Sequence, residues 1–242
     1  MSDFVEKLID VAEKNEATRG IIDAERAKTL ENLSSHMLKV NEHLNLTAIK
    51  DEDGVILKHL VDSATCVPYI KENARLCDVG CGGGFPSLVI AILRGDVSVL
   101  GVDSVAKKVK YVADTGKLLG LENIAVSSRR AEELGHDSDY RESFDVVTAR
   151  AVARLNILCE LCLPLLKIGG TFIAMKSQTT DEELSEAENA ISLMGGSLEN
   201  VTRIKLTDGS EVLDRTIILI KKVKPTPEKY PRNNSQISKK PL

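Results

Sequence analysis

Apolar residues recur every three or four positions through residues 1–70. In DAERAKTLENLSSHMLKVNEHL, residues 23–44, Leu30, Leu33, Met37, Val40 and Leu44 share one side of a helical wheel. That pattern predicts an amphipathic helix. Asn45, Thr47 and Gly54 break it, and a second apolar stretch from Val55 to Val61 leads to Pro68. From Arg75 the rhythm changes. Short aliphatic runs at 76–79, 97–102, 124–127, 144–148, 171–175, 197–206 and 216–220 alternate with helix-period segments at 86–93, 106–119, 155–166 and 181–194. Strands alternating with helices predict an α/β fold whose mostly parallel sheet is covered on both faces. Only the Asp208-Gly209 turn separates the last two strands, which predicts an antiparallel hairpin closing the sheet. After Lys224, four prolines and a polar run are expected to end regular structure. The chain thus divides into a helical extension (1–70), a sheet domain (71–224) and a tail (225–242).

Composition narrows the class. Aromatic residues make up 3% of the 242 and Trp is absent, so the core is aliphatic and broad base-stacking platforms are not expected. The first residues carry charges throughout, unlike a secretory signal, and no apolar run reaches the roughly 18 residues of a membrane span. Five cysteines, an odd number, fit reduced thiols in the cytoplasm better than a disulfide framework. Cys159-x-x-Cys162 is half a zinc site in an apolar helical stretch, so buried thiols and no metal are expected. Net charge is −4, yet residues 221–242 hold seven basic residues against the single acid Glu228. Such a tail is either a solvated end or a contact for a polyanion.

The chemistry concentrates in LCDVGCGGGF, residues 76–85. A glycine cluster between a strand and a helix either turns a corner or lets backbone approach a ligand at the carboxyl end of the sheet. The spacing Gly80-x-Gly82-x-Gly84 is not that of dinucleotide enzymes, and no Gly-Lys-Ser/Thr comes after it. Asp78, just before the glycines, would repel a pyrophosphate but suits the ammonium of S-adenosylmethionine (SAM). Asp103 ends the next strand, where an acid accepts from ribose hydroxyls; capping the next helix is its plainer role. Arg130-Ala131-Glu132 comes after the third strand, either as an adenine-edge reader or as a solvated turn.

These motifs resemble those of the bacterial 16S rRNA guanine-N7 methyltransferases, the RsmG or GidB family. The resemblance covers nearly the whole chain. It is carried by Asn45-Leu46-Thr47, His59-Leu60-Val61-Asp62-Ser63, the 78–86 loop, Asp103-Ser104 with Lys107-Lys108, Arg130-Ala131-Glu132, Thr148 to Ala153, Lys176 and TPEKYPRN. It implies a class I SAM-dependent methyltransferase fold, Rossmann-like, with a seven-stranded mostly parallel sheet, an antiparallel last strand and an N-terminal helical extension. It also implies methyl transfer to N7 of guanine 527, in the 530 loop of 16S rRNA, on the small ribosomal subunit. Cofactor contacts carried over by motif fall on Gly80, Phe85, Asp103, Ala131, Glu132 and Arg150. The chain departs from the family pattern at Cys81, where Ser or Thr is usual, and at Ser87 and Ser177, where Gly is common.

Guanine N7 offers an in-plane lone pair and loses no proton on methylation, so no general base is needed. Catalysis reduces to holding N7 in line with the methyl group and excluding water. Arg150 and Lys176, at the ends of the fourth and fifth strands, are candidate donors to guanine O6; surface roles are the alternative for both. Asn45 and Thr47 either cap a helix or wall the site. His59 and Asp62, three apart on one helix face, serve either substrate or a hydrogen bond joining the helices to the sheet. The basic tail, with Lys107, Lys108, Lys110, Arg129 and Arg130, would contact rRNA phosphates. A monomer is expected. The rival readings are a small-molecule methyltransferase, which would not need the basic tail, a nicotinamide oxidoreductase, disfavoured by the glycine spacing, and a scaffold that has lost its cofactor.

Overall fold

The computed structural model describes residues 1–177 and 179–242. Seven strands form one sheet: β1 (Arg75–Val79), β2 (Ser98–Val102), β3 (Ile124–Ser127), β4 (Phe144–Arg150), β5 (Leu166–Lys176), β6 (Gly196–Thr207) and β7 (Val212–Lys222). Their spatial order is β3-β2-β1-β4-β5-β7-β6, and β7 runs antiparallel between β5 and β6. The order reverses between β1 and β4. That places a ligand crevice outside the carboxyl ends of the strands there.

Strand alternation assigns the two faces. Cys77 and Val79 of β1 join Val147, Phe172 and Ile218 in a core under the helices α8 (Leu155–Cys162) and α9 (Asp181–Leu193). Leu76, Val146, Ile173 and Ile217 face the other way, against α5 (Ser87–Leu93). α6 (Ala106–Leu118) packs against β2, β3 and the N-terminal helical region.

The N-terminal region is helical, as its pattern predicts. It holds α1 (Asp3–Lys14), α2 (Ala24–Leu44), short α3 (Glu52–Val55), a π-helical stretch (Ile56–Val61) and α4 (Asp62–Ala64). Asp23 caps α2 by accepting from Arg26 N at 2.8 Å. Leu30, Leu33 and Met37 are fully buried with Leu57, Leu60 and Leu88. The Asn15 amide donates to Thr207 O (2.8 Å) and accepts from Thr207 N (2.9 Å), tying this region to the far end of β6. None of the described helices is long and apolar enough to cross a membrane.

Three expectations need correction. The predicted 155–166 helix stops at Cys162, because Pro164 sits in a 3₁₀ turn (Leu163–Leu165) that feeds β5 directly. A short helix, α7 (Ala131–Leu134), forms where the sequence pattern predicts none, four residues being too few to show a helical period. Regular structure also does not end at Lys224. The tail packs back on the sheet domain and forms α10 (Asn234–Lys239), burying Tyr230 and Ile237. Lys222 belongs to β7 and is fully buried. Its ammonium donates to Leu163 O (2.8 Å), Met194 O (3.1 Å) and Thr226 Oγ1. Burial pulls its pKa down to about 8. Arg232 is likewise turned inward, forking onto the buried Glu160 carboxylate.

Candidate active site

The glycine loop takes its shape from β1 and β2. Gly80 N and Cys81 N both donate to Val102 O, at 2.8 and 3.0 Å, which holds the loop at the end of β2. Gly80, Gly82 and Gly84 all have positive φ (76°, 52° and 89°), the region where a side chain is disfavoured. A Cβ on Gly80 would lie 2.4 Å from Val152 Cγ2, and one on Gly84 2.3 Å from Leu88 Cδ1. Gly82 has nothing nearer than 3.8 Å and faces open space.

Three cavities run in series along the carboxyl ends of the strands. The first, about 210 Å³, is lined by Gly80, Asp103, Ala131, Glu132, Leu161 and Asn234, among others. The second, about 330 Å³, lies over the glycine loop against Thr47, His59, Phe85, Asp103 and Arg150. It shares Gly80, Asp103 and Val152 with the first. The third, about 510 Å³, is bounded by Lys58, His59, Asp62, Arg150, Lys176 and Arg215. It shares His59, Arg150, Ala151 and Val152 with the second. A further cavity of about 350 Å³ continues past Ser177 and Arg215 to Arg203 and Lys205.

Asp103 sits where the first two cavities meet. Its carboxylate accepts from Gly82 N (3.0 Å) and Val105 N (2.8 Å), so it fastens the glycine loop while keeping acceptor capacity for a ligand. Ala131 and Glu132 are brought beside it at the start of α7, both largely buried. Phe85 is buried and stacks on His59 with ring centroids 4.5 Å apart.

His59 lies in the π-helical stretch. Its Nε2 is 2.8 Å from Thr47 Oγ1, and its Nδ1 is 3.4 Å from Arg150 Nη2. Arg150 has only donors, so Nδ1 accepts and the proton lies on Nε2, which donates to Thr47. Burial, and then the Arg150 charge, lower the His59 pKa to about 4, leaving a neutral imidazole. Arg150 Nη1 also donates to Lys58 O (3.0 Å) and Asp62 Oδ2 (2.9 Å). The other Asp62 oxygen accepts from Arg215 Nε at 2.8 Å. This network joins the N-terminal helices to β4 and β7, and it forms the wall between the second and third cavities. Ala151, just after β4, has φ +57°. That left-handed backbone is strained for a residue with a side chain, and it separates Arg150 from Val152 at the head of the trough.

Three sequence-predicted residues stand apart from the roles expected of them. Asp78 is fully buried beneath the loop, not in the crevice. The two-residue period of β1 aims it at the α5 face, where it accepts from Ser87 N (3.2 Å) and Thr148 Oγ1 (2.9 Å). Burial outweighs those bonds and raises its pKa to about 6. Asp78 therefore holds the first turn of α5 and presents no exposed oxygen to the crevice. Asn45 is exposed at the left-handed end of α2 (φ 48°), where Asn is favoured; its neighbours Leu46 and Thr47 line the second cavity in its place. Lys176 borders the third cavity, but its ammonium is engaged with Glu183 Oε1 (2.7 Å) and Ala153 O (3.0 Å). The five cysteines are buried and unpaired; burial raises the Cys159 and Cys162 thiol pKa values, as expected of core thiols.

Arg215 and Asn234 join the site from outside every motif, and Val152 joins it from the Thr148–Ala153 motif, in which it is not an expected contact. Arg215 has a local cue, a lone cation immediately before the apolar run of β7. Asn234 has none, because nothing in the tail's polar pattern shows that it folds back over the first cavity.

Comparisons with known proteins show the family and the fold. The sequence pattern of the family described as rRNA small subunit methyltransferase G matches residues 26–213. The chain is 49% identical over 210 residues to Ribosomal RNA small subunit methyltransferase G of Lactobacillus delbrueckii subsp. bulgaricus, covering 85% of this chain and 87% of that one. It is 42% identical to the protein of that name from Staphylococcus carnosus over 98% of both. Among solved structures, precorrin-6y C5,15-methyltransferase from Geobacter metallireducens superposes with TM-score 0.51 at 17% identity, over 66% of this chain and 87% of that one. TYW2 of M. jannaschii in complex with AdoMet gives TM-score 0.51 at 14% identity, over 63% and 71%. Likeness at that distance concerns the fold alone, which is the Rossmann-like fold of class I SAM-dependent methyltransferases.

Proposed function

Because the chain belongs to the rRNA small subunit methyltransferase G family, we propose that it transfers the methyl group of SAM to N7 of guanine 527 in the 530 loop of 16S rRNA. It would act as a cytoplasmic monomer on the small ribosomal subunit, without a metal. The observation that carries the reading is the row of three adjoining cavities, each sharing lining residues with the next. An acid and a largely buried Ala-Glu pair stand at one end, a glycine loop at the centre, and a larger polar cavity at the other.

The residues present fit an adenosyl cofactor. Asp103 retains lone pairs for ribose hydroxyls, Ala131 and Glu132 flank the place for the adenine, and Gly82 leaves room over the loop where a side chain would intrude. SAM supplies a methyl group on a positively charged sulfur. The chain's own work is to position the base in the third cavity, beside Arg150, Lys176 and Arg215. Guanine N7 attacks with a lone pair, so no side chain need remove a proton. The neutral His59 is consistent with that: both its ring nitrogens are engaged within the protein. Lys58, Arg150, Lys176 and Arg215 offer donors around the base, each also held by a carboxylate, Glu211, Asp62 or Glu183.

Incubation with methyl-labelled SAM and small subunits lacking the modification tests this directly. Label on N7 of guanine 527, lost in Arg150→Ala, is the expected result. Bound SAM with no label in rRNA would preserve the cofactor half of the proposal and overturn the substrate half.

A further inference from the structure

The tail has a built path across the sheet domain. Arg141 reaches from the turn after α7 to donate to Thr226 O (2.8 Å) and Tyr230 O (2.8 Å). His136 Nε2 lies 2.6 Å from Pro231 O. Arg232 then closes a two-pronged bridge onto Glu160, with Nε to Oε1 at 2.8 Å and Nη2 to Oε2 at 2.6 Å. Its backbone N–H also donates to Oε1 at 2.8 Å. Glu160 is fully buried in α8, so this anchor has one geometry and fixes the register of α10, which begins two residues later. Ile237, fully buried against the core beneath α8, holds the other end of α10.

Between those two anchors the chain is carried over the first cavity, and Asn234 lines it opposite Asp103, Ala131 and Glu132. Asn234 is exposed and is not the helix cap. Asn233 has that role, its side chain accepting from Gln236 N at 3.0 Å. Asn234 borders a small cavity that Val79, Val102 and Leu161 also line. Apolar side chains with polar groups around them, Asp103, Glu132 and Asn234 among these, suit a flat heteroaromatic ring with a polar edge.

We propose that residues 225–242 form a strap that completes the adenosine end of the cofactor pocket, with Asn234 reading the adenine edge. The inference rests on the cofactor assignment made above. An amide offers one donor and one acceptor side by side. Adenine presents the complementary pair, an exocyclic amino group next to a ring nitrogen. On the edge that carries N7, a 6-oxo purine presents two acceptors instead and leaves the amide oxygen without a donor. Asn234 is thus a specificity contact, and the Arg232–Glu160 bridge positions it. Within the strap Arg232 turns inward to Glu160, whereas Lys229, Lys239 and Lys240 stay exposed.

The experiment is calorimetric binding of S-adenosylhomocysteine and S-inosylhomocysteine to the full chain and to Asn234→Leu. The position is exposed, so the ligand-free unfolding midpoint should not move. Wild type is expected to prefer the adenosyl compound by about tenfold or more. Asn234→Leu should bind it about tenfold more weakly while its affinity for the inosyl compound stays the same, so the preference collapses. Unchanged affinity and preference in Asn234→Leu overturns the proposal, as does an equal loss for both ligands. A wild-type chain that binds neither compound overturns the cofactor reading itself, and the strap's role falls with it.

Discussion

Asp62 sits between two arginines: one carboxylate oxygen lies 2.9 Å from Arg150 Nη1 and the other 2.8 Å from Arg215 Nε. The three residues come from α4, β4 and β7, so a single buried carboxylate joins the helical extension to two strands of the sheet. Removing one member of a buried ionic set costs far more than the set contributes, since the remaining charges lose their partner. Asp62→Ala leaves two guanidinium groups facing each other and should destabilise the fold by about 3 kcal/mol. A urea titration reads this as a lower midpoint at unchanged slope. A loss under about 0.5 kcal/mol, as for an exposed pair, would show that the bridge is solvated.

His59 imposes a pH dependence with a definite sign. Its pKa falls to about 4 in the folded chain, against about 6.5 when unfolded. Between those values the unfolded state binds more protons, so stability rises with pH. The contribution is complete above about pH 6.5 and disappears as pH falls through 4. It amounts to about 3 kcal/mol at most. Asp78 acts in the opposite sense. With its pKa raised to about 6, the folded state holds the extra proton, and ionisation costs stability as pH rises from about 4 to 6. Thermal unfolding of His59→Gln and Asp78→Asn across pH 4–7 separates the two. The advantage of wild type over His59→Gln should grow with pH, while that over Asp78→Asn should shrink. Parallel profiles would refute both assignments.

Much of the fold is legible in the sequence because its signals are local. The aliphatic runs and helical periods locate all seven strands, and Asp208-Gly209 marks the β6–β7 hairpin. The glycine loop, Asp103 and Ala131-Glu132 are visible because each sits just after a strand, where an α/β sheet opens its crevice. What sequence does not show is side-chain direction and long-range closure. The position of Asp78 one residue from the loop suggests a ligand contact, yet strand alternation turns it to the opposite face. The tail's prolines and lysines read as solvated chain, because the partners that hold it, Glu160, His136 and Arg141, lie 70 to 95 residues away along the sequence. The place of Arg150 at a strand end points to a ligand; that it also bonds to Asp62, 88 positions earlier, is a fact of the fold.

The glycines of the loop should fail in different ways. Gly84→Ala drives a methyl group to 2.3 Å from Leu88, which is fully buried and cannot retreat, at a position with φ +89°. Overpacking and left-handed strain together should cost about 3 kcal/mol. Gly80→Ala meets Val152 at 2.4 Å, but Val152 is 41% exposed and has room to move. Its stability cost should be nearer the 1–2 kcal/mol of backbone strain. The displaced Val152 lines all three cavities of the trough, so cofactor binding should suffer more than folding does. Gly95→Ala, with nothing within 4 Å, is the neutral control. Denaturation midpoints paired with calorimetric SAM binding distinguish these cases. Equal losses of stability for Gly80→Ala and Gly84→Ala would count against the steric account.

Asp103 carries two duties that substitutions can separate. Toward the protein, its carboxylate holds Gly82 N and Val105 N; toward a ligand, it offers the charge that ribose hydroxyls would donate to. Asp103→Asn keeps one carbonyl oxygen for the loop but loses the charge. It should bind S-adenosylhomocysteine roughly 10- to 100-fold more weakly, the range for a hydrogen bond to a charged group, and lose about 1 kcal/mol of stability because one of the two N–H groups loses its acceptor. Asp103→Ala also leaves Gly82 N without its acceptor, so it should lose about a further 1 kcal/mol of stability. The discriminating ligand is 2′,3′-dideoxy S-adenosylhomocysteine, which cannot donate from the ribose. Wild type should bind it about as weakly as Asp103→Asn binds the normal compound, and the substitution should add no further loss. If Asp103→Asn weakens binding of both ligands by the same factor, the carboxylate acts by shaping the loop alone, and the ribose contact must be assigned to another residue.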